Sequence, residues 1–191
     1  MTRQFFDSII FENRDFKSSP LEIADYESCS FTNCNFTDAS IADMVFIDCE
    51  FNGCNFSLTK LTQASFREAK FVNCKLLGLH IEDCNSITLT MSFENCAIEL
   101  CSFTALKLKN TSFSNCKVIE SDFSECDLSG SIFRNCDLQR TIFRETNLEK
   151  ADFRSSYNYA IDPELNRIRK AMFSLHGLQG LLEKYDIEIV T

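Results

Sequence analysis

The chain has 191 residues with nineteen Phe, eleven Cys, no Trp, two Pro and five Gly, and a formal charge of −9. That length suffices for one substantial domain. No apolar run reaches the eighteen or so residues of a membrane helix, and acids interrupt the opening MTRQFFDSIIFENRDF, which argues against a secretory leader. Many cysteines, odd in number and without an export signal, point to a reducing, cytoplasmic setting. The negative charge opposes direct binding to nucleic acid or to an anionic membrane.

From the N-terminus a period of five governs the text. Its centres are Phe6, Phe11, Phe16, Leu21, Tyr26, Phe31, Phe36, Ile41, Phe46, Phe51, Phe56, Leu61, Phe66, Phe71, Leu76 and Ile81. The register slips by two residues near 85–92, within EDCNSITLTMSF. It resumes at Phe93, Ile98, Phe103, Leu108, Phe113, Val118, Phe123, Leu128, Phe133, Leu138, Phe143, Leu148 and Phe153. Two residues before each centre lies a slot for small side chains. All eleven cysteines fall in it, Cys84 in the first register's last slot, and they alternate there with Ala, Ser and Thr.

A period of five fits neither a helix nor a strand. It fits a chain that turns a corner every five residues and aims the centre and the small slot inward. Four sides close a twenty-residue coil, and coils stack at roughly 4.8 Å, satisfying one another's backbone. The predicted fold is an all-β solenoid over residues 4–153, about 36 Å long at that spacing. Phe11, Phe31, Phe51 and Phe71 then form one inner column, and Leu21, Ile41, Leu61 and Ile81 another.

The units SDFSE, CDLSG, CDLQR, TNLEK and ADFRS resemble the pentapeptide-repeat proteins. The resemblance implies a right-handed quadrilateral β-helix. Within that family the chain is similar to the quinolone-resistance and microcin-immunity type, understood as non-enzymatic, DNA-like rods acting on bacterial DNA gyrase or topoisomerase IV. Members with protruding loops use them in protecting gyrase, and such loops are missing from this sequence.

Residues 154–191 change character. Ile168 and Phe173 keep the five-residue register, which predicts a last partial coil. Ser174 is placed to cap a short helix presenting Leu175, Leu178, Leu181, Leu182 and Tyr185, weakened by Gly177 and Gly180. IEIV, at 187–190, reads as a closing strand. A solenoid must cover its open end, so this tail is expected to be a cap. The resemblance adds an end-to-end homodimer through Phe173, Leu175, Leu178, Leu181, Leu182, Tyr185 and Ile187.

Catalytic chemistry is poorly represented. The cysteines occupy a slot that selects small volume, no C-x-x-C occurs, and stacked thiols at about 4.8 Å sit beyond disulfide reach. His80 points outward, His176 lies in the tail, and neither has a nucleophile placed beside it. No catalytic residue, metal or cofactor is expected.

Charge is the remaining signal. Between Lys17 and Lys60 there is no base, while Glu22, Asp25, Glu27, Asp38, Asp43, Asp48 and Glu50 all fall on outward slots. Two readings follow: a rod that offers a protein partner what duplex DNA offers, or a scaffold whose partner is unrelated to topoisomerases. Binding that weakens with salt and competes with DNA separates the first from the second.

Overall fold

The computed structural model describes residues 3–188 and Val190. Five-residue sides stack into a four-walled β-solenoid of parallel coils. The first wall pairs strands Gln4–Asp7, Ala24–Glu27, Val45–Ile47 and Ser65–Arg67. The second carries a seven-stranded sheet from Ile10–Glu12 to Ile132–Arg134, and the third a three-stranded sheet over Lys75–Leu77, Ala97–Glu99 and Lys117–Ile119. The fourth wall is joined by single bridges such as Ser40 to Lys60 and Ser102 to Asp122.

Register follows the repeat. Phe11, Phe31, Phe51 and Phe71 are successive partners, twenty residues apart, and then Phe71 pairs with Phe93. The coil through the slip is therefore two residues longer. Its extra length forms two 3-10 turns, Ile81–Asp83 and Ser86–Thr88. Asn85 accepts the Ile87 N–H at 3.2 Å, Leu89 turns into the core, and Ile87 stands out at 88% exposure.

The core is a set of ring ladders. On the second wall nine Phe, from Phe11 to Phe173, stack with centroids 4.7 to 5.5 Å apart. Before the slip the first and third walls are also aromatic, and rings of adjacent walls meet edge to face, as in Phe51 with Phe56 at 5.2 Å and 82°. Beyond it, aromatics move to the fourth wall, where Phe103 and Phe123 stack at 4.5 Å. Each buried ring contributes roughly 1.5–3 kcal/mol relative to exposure.

The small slot does more than save volume. At its corners the carbonyl of a centre residue takes a side-chain donor on its second lone pair. The slot side chain of the next coil donates to it: Cys54 Sγ to Phe31 at 3.2 Å, Thr59 to Phe36 at 2.8 Å, Ser131 to Leu108 at 2.9 Å. The slot amide of one coil in turn donates to the slot side chain of the next, as Cys101 does to Ser121 at 3.2 Å and Cys136 to Ser156 at 3.3 Å. Reading Cys there as a small hydrophobe is incomplete; the position favours side chains that are small and can both donate and accept.

The C-terminal end is closed by the expected short helix, Gln179–Leu182, set between two 3-10 turns, His176–Leu178 and Glu183–Tyr185, with Ser174 Oγ accepting the Gly177 N–H at 3.1 Å. They lean on Tyr159, which is buried against Phe153 and Phe173. A methyl group at Gly177 would strike the Tyr159 hydroxyl, and one at Gly180 its backbone carbonyl. The closing strand expected at 187–190 is not formed at Ile187, Glu188 or Val190, and Ile189 lies outside the described residues. Asp186, at φ 48°, ends the last turn in a left-handed residue. Ile161 N–H donates to the Gly180 carbonyl at 2.9 Å, which ties this segment to the coil's end.

Gly180→Ala tests this packing by its sign. In an open helix the change would stabilise by about 1 kcal/mol. Here urea unfolding should show a loss on the order of 1–3 kcal/mol.

Candidate protein-binding surface

The seven acids between Lys17 and Lys60 are spread over all four walls. Asp25, Glu27 and Asp48 belong to the first wall, Glu22 and Asp43 to the fourth, Glu50 to the second and Asp38 to the third. Stacking also brings bases to some of them from outside the stretch. Lys17 Nζ lies 2.9 Å from Asp38, whose carboxylate holds the ammonium above its ordinary pKa, and Arg3 pairs with Asp25. Lys70 is the strand partner of Glu50 in the next coil. A linear reading misses these neutralisations; a reading in steps of twenty places 17 next to 37 and 38 and would have found the first.

Glu22, Glu27, Asp43 and Asp48 make no ion pair among the described residues. They share the first and fourth walls with Asp7, the strand partner of Glu27, and with Glu68, one coil beyond Asp48. The acidic belt thus narrows to a strip of six carboxylates on two adjoining walls. It spans three coil steps, roughly 14 Å, a length over which duplex DNA carries about eight charges. Arg3, which also donates to the Asp43 carbonyl, lies against it, Lys60 and Arg67 border it, and Arg67 is tied to the Thr88 hydroxyl at 2.8 Å.

Asp38, Asp43 and Asp48 have φ of 56°, 61° and 50°. Asp and Asn adopt this left-handed conformation at least cost, although the same corner also holds Glu68, Arg140 and Lys150. Neutralisation by Asn removes charge and keeps the corner.

At the C-terminal end the seven residues expected to cap or dimerise divide. Phe173 stacks on Phe153 at 5.5 Å, Leu181 packs on the core, and Leu182 is half-buried. Leu175 is 81% exposed, and Leu178, Tyr185 and Ile187 are also open to solvent. Lys184 clamps this cap to the last coil through Asp162 and Glu164, each at 2.7 Å. Tyr159, which the sequence reading overlooked, supports the whole segment; its only sequence signal is two glycines three residues apart in a weak helix.

All eleven cysteines are buried and unbridged. Among the described residues no group of three or more His, Cys, Asp or Glu is arranged to hold a metal, and no helix is long and apolar enough to cross a membrane. His80 Nδ1 contacts only Glu82, at 3.1 Å. Burial pushes Cys49, Cys84 and Cys126 up to about 12 and Cys101 to about 11.

The family model for a pentapeptide repeat region matches residues 21–91 and 86–158, more than half of the chain. Two trypsin-treated forms of QnrB1, a plasmid-mediated fluoroquinolone resistance protein, are similar in structure. The first is 16% identical with a TM-score of 0.56, covering 98% of this chain and 100% of that one. The second is 17% identical with a TM-score of 0.53, covering 97% and 99%. At these identities the likeness is one of fold. No curated protein matches the chain in sequence.

The thiols should ignore a disulfide reagent in the native state and all react on unfolding. The raised values of Cys49, Cys84, Cys101 and Cys126 leave stability untouched below the unfolded thiol range near 8.5. From about pH 9 up to about 12, or about 11 for Cys101, each of these four should cost up to about 1.4 kcal/mol per pH unit, read as a falling urea midpoint.

Proposed function

Since the chain belongs to the pentapeptide-repeat family, we propose that it is a non-enzymatic, DNA-mimicking rod that binds a bacterial type II topoisomerase in the cytoplasm. Binding to DNA gyrase, or to topoisomerase IV, would modulate the enzyme or protect it from quinolones or a peptide toxin. The observation that supports this most is the strip of Asp7, Glu22, Glu27, Asp43, Asp48 and Glu68, whose local charge approaches that of a duplex although the whole chain carries only −9. A groove built for phosphates would accept it as a competitor. The exposed Leu175, Leu178, Tyr185 and Ile187 support a homodimer formed end to end, giving a two-fold rod for a two-fold enzyme.

One observation favours a second reading, an adaptor for an unrelated protein. Leu58 and Leu100 are both more than half exposed on one corner, either side of Gly78, with half-buried Leu77 and Ile119 beside them. Such a patch would bind with little dependence on salt.

Gyrase supercoiling, titrated with this protein in the presence and absence of a fluoroquinolone, separates the two. The rod reading expects an effect that duplex DNA competes away and that weakens with salt. The quadruple change Glu22→Gln, Glu27→Gln, Asp43→Asn, Asp48→Asn should raise the half-effect concentration at least about tenfold while the fold is retained. No effect on gyrase or topoisomerase IV at micromolar excess would leave the adaptor reading.

A further inference from the structure

We propose that the N-terminal end of the rod is a second binding site, which takes an extended peptide carrying one aromatic side chain between basic flanks. In contrast to the C-terminal end, no helix covers this one among the described residues. It opens into a cavity of about 440 Å³ whose floor is Phe6, Phe11, Phe16, Leu21 and Tyr26. Phe11 continues the long ring ladder on one side only, stacking on Phe31 at 4.7 Å, and is half-buried on its outer face. An aromatic side chain laid on it would extend the ladder by one step.

The backbone here is equally unfinished. We label the first two strands β1, Gln4–Asp7, and β2, Ile10–Glu12; both are edge strands. In the next coil Ser30 N–H donates to Ile9 C=O at 3.0 Å, and Thr32 C=O accepts from Asn13 N–H at 2.9 Å. The equivalent groups one coil earlier, Ile10 N–H and Glu12 C=O, have no backbone partner among the described residues. A parallel strand laid along β2 would satisfy both. Ile10 itself is 67% exposed, and Phe5 and Ile9 beside it are also open.

Charge selects the occupant. Arg3 and Lys17 are turned back along the rod to Asp25 and Asp38. The cavity is lined by Asp15 and Glu22 against Arg14, with Asp7 and Glu12 at the ends of β1 and β2 beside it. A second copy fits less well, because two concave ends placed face to face would enclose a void instead of filling it.

The test uses a fluorescent nine-residue peptide with a central phenylalanine between threonines and lysines at both ends. Control peptides carry alanine at the centre or glutamates at the ends. Anisotropy should show the parent binding at least about tenfold more tightly than either control. The Ile10 amide should gain protection from hydrogen exchange, and Glu22→Lys should weaken the parent alone. Absent binding, equal binding of the three peptides, or an unprotected Ile10 amide would overturn the proposal. So would light scattering that shows an N-terminal contact between copies, dispersed by Ile10→Lys.

Discussion

The hydrogen bond that runs from a backbone N–H to the carbonyl twenty-one residues earlier organises this molecule. Ser30 makes it to Ile9, Glu50 to Cys29 and Lys70 to Cys49, so each coil is laid on the one before in fixed register. Once that bond repeats, the remaining features have no freedom. Centres fall on centres, which turns eighteen of the nineteen Phe into ladders. Slots fall on slots, which lets a thiol or hydroxyl serve the carbonyl below and the amide of a neighbouring coil. Outward residues fall into columns, and charges far apart in the chain become neighbours. Backbone pairing joins adjacent coils, so the surface is a printed record of the repeat.

Most of the fold could be read from the centres alone, because a period of five with an unbroken apolar series has no competing interpretation. Phe173 rejoining the register after a divergent segment was enough to place the last partial coil. What the pattern did not carry was the dual hydrogen bonding of the slot. Small size already explained why Cys, Ala, Ser and Thr alternate, and size hid the polar role. Nor did it carry Tyr159. A cap is held by one-off contacts, and the close approach of Gly177 and Gly180 to this ring leaves no periodic trace.

The acidic surface was legible as composition and not as geometry. Counting along the chain from Lys17 to Lys60 finds only acids, yet Lys17 and Arg3 reach back over the coils to Asp38 and Asp25. The belt becomes a strip because a twenty-residue step, and not chain proximity, decides who is adjacent. The same step puts Glu68 beside Asp48 and Asp7 beside Glu27, two acids outside the stretch that belong to its surface. The strip is therefore a consequence of register.

The two-residue slip is where that register is most exposed to test. NMR couplings transmitted across hydrogen bonds identify which amide meets which carbonyl, pair by pair, in solution. The amides of Glu50, Lys70 and Lys75 should couple to the carbonyls of Cys29, Cys49 and Cys54, each twenty-one residues back. Across the slip the separation should become twenty-three, with Ala97 coupled to Cys74 and Ser102 to Leu79, and return to twenty-one where Lys117 meets Cys96. Coupling of these amides to other carbonyls, or one separation maintained through the slip, would contradict the stacked-coil account and the surface derived from it.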